Sequence, residues 1–144
     1  MASEIFGDAI DLAPVRFRLG KWFFLQPART IMAPDGHIWL HPNGGFWRDD
    51  YSEEPIWLRA LIMHEFTHVW QHQQCVFLPL KRHPFCRYGY EFTPGKPFAK
   101  YGLEQQGELV RHAYLQLHGK RLAGRPDLAA YRETLPFGDG AAQA

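Results

Sequence analysis

The stretch LIMHEFTHVWQHQQ, residues 61–74, constrains this chain more than any other segment. It places His64, Glu65 and His68 inside a largely apolar run that is long enough to be a core helix. Polar side chains buried in such a helix are costly unless they have partners. A bound metal ion is the simplest partner that accounts for all three.

Helix geometry supports that interpretation. Residues four apart differ by about 40° around the helix axis, so His64 and His68 share a face and their imidazoles can bind one metal ion. Glu65 projects about 100° away, which suits a general base acting on water better than a third ligand. Without a metal, the two histidines would be a polar patch.

A second predicted helix, residues 101–118, offers the missing ligand. A catalytic zinc site takes three protein ligands and leaves a fourth position for water. Glu104 and Glu108 are four residues apart and therefore lie on one face of this helix. The alternative without a metal is an amphipathic helix with two solvated carboxylates.

The string HEFTH, residues 64–68, resembles the active-site helix of HExxH metalloproteases. EQQGE, residues 104–108, resembles the downstream helix of the gluzincin class of these enzymes. The resemblance implies Zn²⁺ held by His64, His68 and Glu104. It also implies that Glu108 orients a ligand histidine through its other ring nitrogen, although gluzincins usually have Asp there. Glu108 as the third ligand is the main alternative.

A wider resemblance covers most of residues 5–115, through APDGHIWLHP, HEFTHVWQHQ and PGKPFAKYGLEQQGE. It is to short bacterial Vgr-related proteins and to HExxH domains found beside contractile injection systems such as type VI secretion. It implies a minimal zincin-like fold, with a peptide or protein substrate along an edge strand that packs on the active-site helix. That strand would consist of His37, Ile38, Trp39, Leu40 and His41. A secretion-apparatus or immunity partner is a further expectation.

Three more side chains are candidates to stabilise the oxyanion of a transition state. His112 lies one turn beyond Glu108, and Tyr90 or Tyr88 precedes that helix.

Two functions are therefore open. The first is a zinc-dependent hydrolase, most simply a peptidase. The second is a non-catalytic zinc-containing binding or adaptor module, which the shortness of the chain and the aromatic-rich segment 76–101 favour. A fourth protein ligand, such as Cys75 or His72, would indicate the second.

The fold class predicted is α+β, with a single domain over residues 1–137 and a disordered tail over 138–144. The sheet is expected to be small and antiparallel. The predicted elements are a helix over 3–13 capped by Ser3, a strand over 15–24, a hairpin over 29–42 around Pro34-Asp35-Gly36, helices over 55–75, 101–118 and 126–134, and a short strand over 88–92.

The composition of the chain bears on which classes of partner it can bind. The chain is 46% hydrophobic and 22% charged, with a net charge of +1, so no basic footprint indicates nucleic acid or a membrane surface. The apolar runs are too short to span a bilayer. The first residues lack a secretory signal, which predicts a cytoplasmic protein as synthesised, exported only by a signal-independent route. Cys75 and Cys86 are expected to be free, half-buried thiols; a disulfide between them is the alternative if the protein reaches an oxidising compartment.

Overall fold

A computed structural model describes residues 1–76 and 88–137, and this part of the chain has a mixed α+β fold. The predicted tail, residues 138–144, lies outside the described residues. The elements in chain order are α1 (Ser3–Phe6), a 3-10 turn (Gly7–Ala9), β1 (Phe17–Leu19), β2 (Ile31–Met32), β3 (Ile38–Leu40), α2 (Ile56–Gln73), a second 3-10 turn (Phe98–Lys100), α3 (Leu103–Leu117) and α4 (Leu128–Thr134).

The three-stranded sheet is mixed, whereas an antiparallel sheet was predicted. β2 and β3 form the predicted hairpin, with Ile31 opposite Leu40. Gly36 in its turn has φ of 83°, which side-chain-bearing residues rarely adopt. β1 instead pairs in parallel with β3. A hairpin is encoded by its own turn, but a parallel neighbour is joined through a long connection and leaves no local signal of its direction.

The prediction that residues 37–41 form an edge strand is wrong. The strand order is β1-β3-β2, so β3 is the central strand of the described sheet. Its backbone pairs with both neighbours, and a substrate cannot add to it as a further strand. β3 does contact α2, as expected of the strand ahead of the candidate active-site helix. Its Ile38 and Leu40 side chains are fully buried.

The helices that carry the candidate site are confirmed, with slightly shorter bounds than predicted. α2 begins after Pro55, whose lack of an N–H is harmless at a helix start. α3 ends two residues before Gly119, which has φ of 78°. α4 begins after Asp127, whose side chain accepts a hydrogen bond from the backbone N–H of Ala130.

The N-terminal segment is less regular than predicted. α1 stops at Phe6, because Gly7 takes φ of 52° and the chain turns into a 3-10 turn. Ser3 is the first residue of this helix and not its N-cap. The predicted strand over 15–24 is reduced to the three residues of β1.

Residues 88–92 form no strand, in contrast to the prediction. The backbone carbonyls of this segment accept hydrogen bonds from side chains instead of from a neighbouring strand. Gln105 donates to the Gly89 oxygen, and Arg125 donates to the Tyr90 oxygen. These bonds tie the irregular segment to α3 and to the loop that precedes α4.

The core lies where α2 packs on α3, with the sheet on the other side of α2. Leu58, Ile62 and Met63 of α2 are fully buried, as are Leu109 and Val110 of α3. Within residues 1–76 and 88–137, no helix combines the length and apolar character needed to cross a bilayer.

Candidate metal centre

The helix α2 is buried on nearly all sides because it lies between β3 and α3. Its buried residues include several that carry polar side chains: His64, Glu65, Thr67, His68 and Gln71. Polar groups at this depth need partners within the protein or on a ligand. Most of these partners come from α3.

Three ligand atoms from the two helices converge. The Nε2 atoms of His64 and His68 are 3.1 Å apart. Glu104 of α3 brings its Oε2 atom to 3.1 Å from His64 Nε2 and 3.3 Å from His68 Nε2. All three residues are at most 3% exposed. The two histidines and the glutamate named from the sequence are thus brought together.

These distances fit a small divalent cation. Zinc binds imidazole nitrogen and carboxylate oxygen at about 2.0–2.1 Å, and the corners of a tetrahedron of that size are about 3.3 Å apart. The observed spacings of 3.1–3.3 Å match that edge length. The donor set of two imidazoles and one carboxylate is also one that zinc uses in catalytic sites.

The far sides of both imidazoles are occupied by acceptors. His64 Nδ1 is 2.9 Å from Glu108 Oε1, and His68 Nδ1 is 2.7 Å from Gln71 Oε1. The Gln71 amide nitrogen donates to Gln106, which assigns its oxygen as the acceptor from His68. With a cation bound, each Nδ1 would therefore donate to its acceptor and each Nε2 would present a lone pair to the ion.

Without a cation, the same contacts strongly perturb two side chains. Burial lowers the pKa of His64, but hydrogen bonds to Glu104 and Glu108 outweigh it and raise that pKa to about 9. Burial raises the pKa of Glu108, but the hydrogen bond and charge of His64, followed by Arg111, lower it to about 2. Positive charge is therefore favoured where the three ligand atoms meet.

Gly107 allows the His64 ring to approach α3. A Cβ atom at this position would lie 2.7 Å from His64 Cε1 and 2.8 Å from both ring nitrogens. The imidazole therefore sits directly over the helix backbone, with Glu104 and Glu108 on its two sides. The sequence offered one signal for this residue, a glycine in the middle of an otherwise good helix.

Gln71 is the second residue that sequence reasoning missed. It is 1% exposed and connects His68 to α3 through its bonds to Gln106 and to the Leu103 carbonyl. Its position three residues after His68 was the available signal, since residues three apart are neighbours on a helix.

Tyr90 and His112 lie behind Glu108. The Tyr90 hydroxyl is 2.6 Å from His112 Nδ1 and 2.7 Å from the Tyr131 hydroxyl. His112 Nε2 is 3.6 Å from Glu108 Oε2. Burial lowers the pKa of His112 to about 4, with Arg125 and Arg111 acting in the same direction against Glu108. His112 thus lies beside the carboxylate that contacts His64, and Tyr90 is bonded to His112; their role in stabilising a transition state stays a prediction.

Tyr88 is an exposed residue that contacts a ligand histidine. Its ring stacks on the His64 imidazole, with centroids 6.1 Å apart and an interplanar angle of 26°. It is 57% exposed, whereas the ligand side chains beside it are buried. Of the tyrosines considered from the sequence, Tyr88 is the one in contact with the His64 ring.

Neither Cys75 nor His72 joins the converging group. Among the described residues, the histidine, cysteine and acidic side chains whose ligand atoms all come within 4.8 Å of one another are His64, His68 and Glu104. Cys75 is a free thiol and is exposed, not half-buried as predicted. The His72 ring lies close to Gly36. Cys86 lies outside the described residues.

The histidines that flank β3 are also outside this group. His41 is buried, and its Nδ1 accepts a hydrogen bond from the backbone N–H of Asn43. His37 is half-buried.

The chain is similar to a known secretion protein and to a solved domain. No protein-family model matches the chain. It is 37% identical over 126 residues to the type VI secretion system spike protein VgrG2b of Pseudomonas aeruginosa. The match covers 81% of this chain and only 12% of that protein. The solved effector domain of P. aeruginosa VgrG2b matches with a TM-score of 0.75 at 36% identity, covering 82% of this chain and 70% of the domain.

Proposed function

The chain belongs to the family of the VgrG2b effector domain, and on this basis we propose that it is a type VI secretion effector that hydrolyses amide bonds with zinc. The substrate class proposed is peptide or protein. We also propose that this chain associates with a secretion apparatus. The basis is the sequence relative, whose name identifies it as a spike protein of the type VI secretion system.

The observation that carries the enzymatic proposal is the convergence of His64, His68 and Glu104. Their ligand atoms lie 3.1–3.3 Å apart, on two helices that pack together in the core. Glu108 and Gln71 place acceptors at Nδ1 of the two imidazoles, which favours the tautomer that a metal requires. A polar patch has no need for this combined arrangement.

The general base for this reaction is a residue of the protein itself. When bound, zinc would polarise the scissile carbonyl and make water acidic enough to supply a nucleophile near neutral pH. Glu65 follows His64 on α2 and is buried beside the ligands. It acts as the general base that takes a proton from the attacking water and returns it to the leaving amine.

Tyr88 is the residue we assign to the oxyanion. It is exposed and contacts the His64 ring, and its phenol would donate to a substrate oxygen beside the ligands. Tyr90 and His112, which are bonded to each other with Tyr90 also bonded to Tyr131, are the other candidates for this role.

The alternative, a non-catalytic zinc-containing adaptor, predicts a closed site with four protein ligands. Within the described residues the converging group has three members, and Cys75 and His72 are not among them.

The first experiment measures zinc per chain in protein purified without added metal. We expect about one zinc per chain in the wild type, as a three-ligand site implies, and a clear loss in Glu104→Ala. Exposed Glu133→Gln is the matched control and should keep its zinc. No zinc in the wild type or the control would contradict the proposal.

The second experiment tests the chemistry on a peptide library. Glu65→Gln should keep its zinc and lose turnover by about 10²–10⁴-fold, the usual contribution of a general base. If this variant cleaved peptides at the wild-type rate, the mechanism would be wrong. If neither protein cleaved any peptide while zinc remained bound, the adaptor would be the better description.

A further inference from the structure

The loop between β1 and β2 is ordered although its most apolar residues face solvent. Gln26 is 3% exposed, accepts from the Trp22 backbone N–H at 2.8 Å and donates to the Thr30 carbonyl at 3.0 Å. A backbone bond from Gln26 to Phe23 closes the first part of the loop. The inward-facing glutamine thus fixes the loop with its neighbouring side chains outside.

Those outward side chains form the largest concentration of exposed apolar residues in the described chain. Of the nine large hydrophobic residues that are exposed there, five lie within residues 19–25. Phe24 is 81% exposed and Leu25 is 67% exposed. We call Trp22, Phe23, Phe24 and Leu25 the apolar tip. Exposed apolar groups in sequence mark an interaction site more often than scattered single residues do.

The surroundings of the apolar tip are basic. No aspartate or glutamate occurs between Asp11 and Asp35, and the segment between them carries four basic residues, all exposed: Arg16, Arg18, Lys21 and Arg29. The net charge of +1 for the whole chain therefore conceals a local charge of +4. Lys21 is three residues from Phe24, within about 11 Å along the chain, so charge and apolar tip act on the same partner.

We propose that this loop docks on the surface of an anionic lipid bilayer. Tryptophan, phenylalanine and leucine insert at the boundary between headgroups and acyl chains, and adjacent lysine and arginine are attracted to anionic headgroups. A bilayer accepts single protruding side chains such as Phe24 without a preformed pocket. A protein partner would need a cavity shaped to this tip. The net charge of the whole chain gives no sign of membrane binding, but the local charge around the apolar tip does.

The test is co-sedimentation of the full chain with vesicles, compared between phosphatidylcholine alone and an equimolar mixture with phosphatidylglycerol. We expect binding to the anionic vesicles, weakening as NaCl is raised, and little binding to the neutral ones. Because binding is read without zinc or turnover, the outcome does not depend on the proposed hydrolase.

Two double variants, each with a control, separate the contributions of apolar and basic side chains to vesicle binding. Phe24→Ser with Leu25→Ser should weaken binding by about tenfold or more, since two apolar side chains no longer leave water. Trp57→Ser, which removes a 53% exposed side chain elsewhere, should not. Lys21→Gln with Arg29→Gln should weaken binding by about fivefold per charge. Lys120→Gln with Arg132→Gln removes two exposed charges outside the loop and should have little effect.

Equal binding to neutral and anionic vesicles would overturn the proposal, as would tip variants that bind like the wild type. Self-association that the tip substitutions abolish, without vesicle binding, would assign the loop to contact with a second copy instead.

Discussion

The His64 imidazole is the most constrained side chain of the candidate site. Glu104 lies at one ring nitrogen and Glu108 at the other, with oxygen–nitrogen distances of 3.1 and 2.9 Å. The two carboxylates therefore have different roles although they lie one turn apart on the same helix. Glu104 also reaches His68, which makes it the ligand candidate, while Glu108 holds the ring from behind.

Substitution of Glu108 separates these roles. Glu108→Gln should lower zinc affinity by about 10–100-fold and still bind one zinc per chain at saturation, as expected of a residue that orients a ligand. Glu104→Gln should lose the metal. The affinities can be measured by competition with a chelating indicator. The reverse pattern would make Glu108 the third ligand, the alternative that the sequence left open.

Tyr88 and Tyr90 can be distinguished in the same way. Tyr88→Phe should lower kcat by about 10²-fold, the usual effect of removing one oxyanion donor, and leave the zinc content unchanged. Tyr90→Phe removes the hydroxyl shared by His112 and Tyr131, so its main effect should be on thermal stability. Peptide turnover and melting temperature should be measured on both variants. A larger effect of Tyr90→Phe than of Tyr88→Phe on kcat would contradict this assignment.

At the scale of elements, the site depends on how closely α2 and α3 approach. Gly107 lets the His64 ring lie on the α3 backbone, and Gln71 ties α2 to α3 at the next turn. Both contacts set the distance between the histidines on one helix and Glu104 on the other. Packing of the two helices thus decides whether a metal fits.

Gly107→Ala tests that packing. Alanine would favour the helix by about 1 kcal/mol on propensity alone. The new methyl group overlaps the His64 ring, and overpacking of this kind costs about 1–3 kcal/mol, so we expect a net loss of stability and weaker zinc binding.

Urea unfolding and zinc titration provide the measurements, with Gly89→Ala as the control because a Cβ there meets nothing within 4 Å. A Gly107→Ala variant that was more stable and bound zinc normally would show that the helices can move apart at little cost.

For the whole molecule, zinc would connect the two halves of the core. The histidines come from the first described segment, residues 1–76, and Glu104 from the second, residues 88–137, so a bound ion adds a link that only the folded protein can make. Binding restricted to the folded state raises the free energy of unfolding.

Removal of zinc should therefore destabilise the protein. Free zinc at 1,000 times the dissociation constant contributes about 4 kcal/mol, which is about 10 °C in Tm for a chain of this size. We expect a chelator to lower the Tm of the wild type by that order and to leave Glu104→Gln unchanged, as followed by circular dichroism. An equal shift in both proteins would indicate that the chelator acts elsewhere.

The sequence alone determined the features that depend on neighbours along the chain. The four-residue spacing of His64 and His68 and of Glu104 and Glu108, the two helices that carry them, and the hairpin around Gly36 all follow from local periodicity and turn chemistry. The relationship to VgrG proteins could also be recognised from the sequence, because it rests on short strings of residues.

Tertiary structure decided whatever depends on contacts between distant segments. The parallel pairing of β1 makes β3 central, which no pattern within residues 37–41 can signal. The choice of Glu104 over Glu108 as the converging carboxylate depends on the rotation of α3 against α2, and the position of Tyr88 depends on how its segment packs on α3. Local patterns place a side chain on a face of its element; only packing decides what that face meets.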